Sequence, residues 1–124
     1  MAHLIQELAQ TFPDIDFICT DVFETSAANI FFTDFIHTRN GSDLNEISFL
    51  STFCDAIVGR NSGAFLFTNT KHNLSTKKFL AFGRDERECF PYGLNCKNFV
   101  FVRDENDEVM RNALHLLVKS IQHD

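Results

Sequence analysis

The stretch Gly59-Arg60-Asn61-Ser62-Gly63-Ala64 has the residue types and spacing to do chemistry. Gly59 closes a short apolar run and Ser62-Gly63-Ala64 opens a helical one, so a strand-to-helix turn is expected between them. Small residues at such a turn let backbone N–H groups and the positive end of a helix approach an anion closely. Arg60 adds a full positive charge, and the Asn61 and Ser62 side chains add hydrogen-bonding groups. A diphosphate suits that combination. Gly at a strand end and Ser-Gly at a helix start are also ordinary punctuation. The pattern is neither G-x-G-x-x-G nor a Walker loop, which needs a later Gly-Lys-Ser/Thr. It misses the G-x-S-x-G nucleophile elbow because Ser62 stands one place late. Thr20-Asp21 and Gly83-Arg84-Asp85 end other predicted strands, and Arg84 could reach a phosphate from the neighbouring strand end.

Other chemistry is less well supported. His3, His37, His72, His115 and His123 are spread over separate elements, with no His-x-x-x-His pair, so no metal site is expected. Cys19 and Cys54 lie in apolar segments and read as small hydrophobes. Cys89 and Cys96 lack the short spacing of a zinc knuckle; four free thiols in a reducing, cytoplasmic setting are expected. The Arg84-Asp85-Glu86-Arg87-Glu88 run reads as a solvated loop.

The elements that must position the turn follow from periodicity. Ala2 to Thr11 is expected as a helix ended by Pro13, and Ile15 to Thr20 and Asn29 to Ile36 as strands. Only about eight residues separate those strands, too few for an ordinary parallel crossover. They are therefore expected either as antiparallel neighbours or as parallel strands that do not touch. After the turn residues Arg39-Asn40-Gly41-Ser42, Asp43 and Glu46 form a box-like cap for a helix with Leu44, Ile47, Leu50, Phe53 and Cys54 on its buried stripe. Asp55 to Gly59 is expected as a strand buried on both faces of a parallel sheet. Ser62 to about His72 should be a helix, Lys78 to Gly83 a strand, Arg84 to Cys96 a loop with a Pro91-Tyr92-Gly93 turn, and Asn98 to Val102 the last strand. Asn106 to Gln122 is an amphipathic helix with Val109, Met110, Ala113, Leu114, Leu117, Val118 and Ile121 on one face. Its acidic start and Lys119 near its end suit the helix dipole. Alternating strands and helices predict an α/β, Rossmann-like three-layer sandwich with a mainly parallel sheet of about five strands.

Composition narrows the partners. The 124 residues fit one domain, and 44% apolar with 23% charged is ordinary for a globular protein. Fifteen Phe and no Trp make Phe the main source of core volume. A formal charge of −6, with eleven scattered Lys and Arg, argues against nucleic acid. No apolar run approaches the roughly 20 residues of a membrane span, and the N-terminus lacks a signal-peptide pattern.

The run Asp43-Leu44-Asn45-Glu46-Ile47, continued by Cys54-Asp55-Ala56-Ile57-Val58-Gly59-Arg60-Asn61-Ser62-Gly63-Ala64, resembles the donor-binding, C-terminal half of GT-B glycosyltransferases. It is similar both to the N-acetylglucosaminyltransferase of peptidoglycan synthesis and to the heptosyltransferases, over roughly residues 15–83. The resemblance implies Arg60, Ser62, Gly63 and Ala64 on a donor diphosphate, with Thr20 and Asp21 near the nucleotide base. The family's ribose-binding Glu is replaced here by Asn69, whose amide can still hydrogen-bond hydroxyls. Family members carry a strand and Gly-rich loop before the helix at Ala2–Thr11, and an acceptor-binding domain that supplies the catalytic base. The chain is therefore expected to bind a nucleotide diphosphate or nucleotide sugar without catalysing transfer alone, as a fragment, a split-enzyme subunit or a non-catalytic relative. A partner chain supplying the acceptor half, or self-association, would fit that reading. Two readings of another class remain beside it. One is a flavodoxin-like or receiver-like regulatory module, for which Asp21 is the loose phosphoacceptor candidate; the other is an oligomeric structural protein with a Phe-rich interface.

Overall fold

The structure, a computed structural model, describes residues 1–35, 44–60, 62–89 and 98–122. The chain divides into two compact units, Met1–Asp43 and Leu44–Asp124.

In the first unit, helix α1 (Ala2–Thr11) buries Leu4, Leu8 and Ala9 and stops two residues before Pro13. The chain then forms strands β1 (Phe17–Cys19) and β2 (Ile30–Phe32), followed by a 3-10 turn over Thr33–Phe35. The Asn29 side-chain amide donates to the carbonyls of Ala9, Phe12 and Ile15 at 3.1, 3.1 and 2.8 Å, fastening the end of the helix to the start of β2. β1 and β2 pair directly and in parallel, Phe17 opposite Ile30 and Cys19 opposite Phe32. This corrects both arrangements expected from the short separation. A three-residue strand is only about 10 Å long, so an irregular connection over Thr20–Asn29 can return to its start without a helix. Phe23 from that connection packs edge-on against Phe32, with centroids 5.1 Å apart.

The second unit holds helix α2 (Leu44–Ser51), β3 (Ala56–Arg60), α3 (Gly63–Phe67), α4 (Lys71–Thr76), β4 (Lys78–Phe82), α5 (Glu86–Cys89), β5 (Asn98–Val102) and α6 (Asp107–Gln122). β3, β4 and β5 form one parallel sheet with β4 in the centre. Phe79 and Ala81 cluster with Ile57, Phe65 of α3 and Cys89 of α5, with Leu74 of α4 against them. Alternation along β4 turns Lys78, Leu80 and Phe82 to the opposite face, where α6 packs and buries Met110, Leu114 and Val118. The unit is thus α/β with helices on both faces of a parallel sheet, as expected. The five strands are divided into sheets of two and three rather than joined in one.

Several elements differ from expectation. The strand buried on both faces is β4, where Phe79, Leu80, Ala81 and Phe82 are at most 1% exposed; in β3, Val58 is open to solvent. Position in the sheet decided this, because both segments read as apolar runs. The helix expected from Ser62 to His72 is broken. Thr68 returns its hydroxyl to the Phe65 carbonyl at 2.6 Å, and Thr70 is extended (φ −82°, ψ 158°) and caps the Asn73 N–H at 3.1 Å. β-Branched hydroxyl residues compete with the helical ladder in this way. α2 ends at Ser51, so Phe53 falls off the predicted stripe and is exposed; Ile47 of that stripe is buried as expected, and Ser51 is buried beside it. The segment expected as a polar loop after Arg84 contains the helical turn α5. The Arg39–Ser42 turn, the Asp43 cap, the Pro91-Tyr92-Gly93 turn and Cys96 lie outside the described residues.

Candidate functional site

A cleft of about 580 Å³ opens at the C-terminal ends of β3, β4 and β5. Each strand delivers an arginine to it: Arg60 is the last residue of β3, Arg84 stands two residues beyond β4, and Arg103 directly follows β5. The register sets Arg60 beside Phe82, and Phe82 beside Val102, so the three cations fan from one edge. Phe82 and Gly83 also line the cleft, and Glu88, Asp104 and Glu105 supply carboxylates.

Those side chains are held differently. Arg60 Nε lies 3.4 Å from Glu105 Oε1, and both side chains are about half exposed, at 49% and 46%. Asp104 Oδ1 accepts the Asn106 N–H at 2.8 Å, and Asn106 Oδ1 accepts the Glu108 N–H at 2.9 Å, shaping the entry to α6. Arg87 is turned to Asp85, with Nη2 to Oδ2 at 3.0 Å and Nε to Oδ1 at 3.3 Å. That bond, with the Arg87 backbone N–H, holds the Asp85 carboxyl below the usual carboxylate range. Beneath the edge, the Cys89 thiol is fully buried; burial first, and the nearby carboxylates of Glu88 and Asp85 second, push its pKa up. Burial likewise raises Cys19 and Cys54, so none of these three free thiols is an activated nucleophile.

Of the predicted site residues, the structure brings Arg60 and Arg84 together on this cleft. Ser62 and Gly63 lie at the start of α3. The Ser62 hydroxyl accepts the Phe65 N–H at 3.2 Å and so serves as the helix cap, and Ala64 is half-buried within the helix. Asn61 is outside the described residues. Asn69 donates to the Cys89 carbonyl at 2.8 Å, while its Oδ1 is buried without a partner among the described residues. Ser62, Gly63, Ala64 and Asn69 do not line the cleft. Thr20 and Asp21 are exposed just beyond β1 in the first unit. Gly59 has a packing reason: a Cβ there would overlap Phe65 Cδ2 outright and stand 2.9 Å from Cγ. The glycine lets α3 lie against β3.

Sequence reasoning missed Arg103, Glu88, Asp104 and Glu105. A signal for Arg103 was present, since each of the three predicted strands is closed by an arginine within two residues: Gly59-Arg60, Gly83-Arg84 and Val102-Arg103. The carboxylates had none, because which acidic residues of a charged segment face inward is a tertiary matter. Among the described residues no group of three or more His, Cys, Asp or Glu could hold a metal ion, and no helix is long and apolar enough to cross a membrane. Comparison with protein-family models, curated proteins and solved structures finds no match to this chain.

Proposed function

We propose that the second unit binds a phosphate-bearing small molecule, specifically a nucleoside diphosphate or nucleotide sugar, in the cleft at the C-terminal edge of β3–β5. The observation that carries this reading is the convergence of Arg60, Arg84 and Arg103 on one cleft from three adjacent parallel strands. Ligands of open parallel sheets occupy this edge. Guanidinium forks match phosphate oxygens in geometry and charge. The volume lies within the range of small-molecule sites. The Glu88 carboxylate offers an acceptor for ribose or sugar hydroxyls. The resemblance to the donor half of GT-B glycosyltransferases points to the same ligand class. It also implies that transfer needs an acceptor domain, so the reading assigns binding and no catalytic residue.

The test is a thermal-shift and calorimetric screen of UDP, GDP, ADP, CMP and pyrophosphate on the protein and on an Arg84→Ala/Arg103→Ala variant. A ligand at 100 times its dissociation constant adds about 2.7 kcal/mol, a shift of several degrees. That shift with at least one ligand, lost in the variant, is expected; no shift with any of them overturns the reading. A second reading is favoured by Phe49 and Phe53, 68% and 72% exposed and stacked edge-on at 5.3 Å. In it the chain self-associates, and light scattering across a concentration series would show mass rising with no nucleotide effect.

A further inference from the structure

Among the three arginines of the cleft, Arg60 differs from the others. Its guanidinium already faces a carboxylate, Glu105, whereas Arg84 and Arg103 form no ion pair with a described residue. The partners stand on anchored backbone. Arg60 is registered against Phe82 as the last residue of β3. Glu105 sits between two side chains, Asp104 and Asn106, that both bond backbone N–H groups ahead of them. The carboxylate is therefore presented to Arg60 by a shaped loop rather than by a freely wandering tail.

An exposed pair of this kind adds little to folding. Its effect falls on whatever else Arg60 could hold. We infer that Glu105 is an internal competitor for Arg60, a built-in carboxylate that an incoming phosphate must displace, and hence a determinant of which anions the cleft accepts. The inference rests on the reading of the cleft given above. A ligand carboxylate would exchange one carboxylate for another at Arg60 and gain little. A diphosphate, with more charge and several oxygens for a bidentate fork, gains by the exchange. Displacement lowers apparent affinity by the fraction of molecules in which the pair is open. For an exposed pair that is a factor of about two to five.

The experiment is a double-mutant cycle read by calorimetric titration of inorganic pyrophosphate and of UDP into the full chain, Glu105→Gln, Arg60→Ala and the double variant. Glu105→Gln is expected to bind about two- to five-fold tighter, and this gain should vanish in the Arg60→Ala background, where no guanidinium remains to be released. Weaker binding by Glu105→Gln would mean that Glu105 touches the ligand, and overturns the inference. Unchanged binding overturns it too. An equal gain with and without Arg60 would mean a general effect of removing negative charge, and also overturns it. The Arg60 Nε–Hε NMR resonance gives a readout that survives if Arg60→Ala abolishes binding. Pyrophosphate should move it in the wild-type protein, starting from a position that Glu105→Gln alone already alters; a resonance indifferent to Glu105→Gln counts against the pair. If neither ligand binds wild type or Glu105→Gln, and Arg84→Ala/Arg103→Ala changes nothing, the reading of the cleft itself fails.

Discussion

At the N-terminal end of the three-stranded sheet, Lys78 commits its ammonium to the Ser120 carbonyl at 2.9 Å, tying β4 to the last turn of α6. A cleft of about 410 Å³ lies there, lined by Asp55, Thr76, Lys77, Lys78, Asn98 and Ile121. At the C-terminal end the same strands lead into Arg60, Arg84 and Arg103, and among the described residues the ion pair these make is the half-exposed contact of Arg60 with Glu105. One end uses a cation to cap a helix C-terminus, where partial negative charge gathers. The other leaves guanidiniums facing a cleft. Charge is present at both ends, and what separates them is whether the fold has already used it.

Four measurements would break or sharpen that contrast. The largest effect is expected at Phe82, fully buried beneath the C-terminal cleft. Phe82→Ala should cost about 3–5 kcal/mol in denaturant unfolding, through lost burial and the cavity left behind. Gly59→Ala comes next: overlap with the buried Phe65 ring should cost about 1–3 kcal/mol, read as a lower unfolding midpoint at unchanged slope. A smaller cost would mean that Phe65 can swing aside, and that the glycine is there for another reason.

The third compares the two ends directly. Lys78→Met should lose about 1–2 kcal/mol of stability and leave pyrophosphate affinity unchanged. Arg103→Ala should change stability by no more than about 0.5 kcal/mol while weakening pyrophosphate binding. The contrast fails if the two variants exchange behaviours.

The smallest effect concerns pH. The Cys89 thiol has a folded pKa above its ordinary value because it is buried. Its contribution to stability is therefore fully present below the ordinary thiol pKa and is lost as pH rises through the folded value. Unfolding free energy should decline on moving from pH 8 into the alkaline range, and iodoacetamide at pH 8 should leave Cys89 unmodified in the native protein but not in the unfolded chain.

Much of the architecture was legible locally. β5 over Asn98–Val102 and α6 over Asp107–Gln122 match their patterns nearly residue for residue, since one is a run of β-formers and the other a long stripe with charged ends. The Ser62 turn was legible as a helix start, and its hydroxyl acts as that start's cap. The break at Thr68–Thr70 was hidden because apolar periodicity continues across it while the threonine hydroxyls redirect the backbone. Arg60 and Arg84 could be picked out because they end predicted strands. Arg103 carried the same mark, but only strand adjacency turns three separated arginines into one cluster.

The sequence by itself determined the α/β class, the positions of β3, β4 and β5, and the presence of cations at their carboxyl ends. These follow from local periodicity and from the residues that terminate it. Only the tertiary structure decided that β4 is the central strand, that β1 and β2 pair in parallel apart from the three-stranded sheet, and that Glu105 reaches Arg60 across 45 residues of chain. Those outcomes depend on which strands become neighbours, and pairing between distant segments leaves no mark in the local pattern of either one.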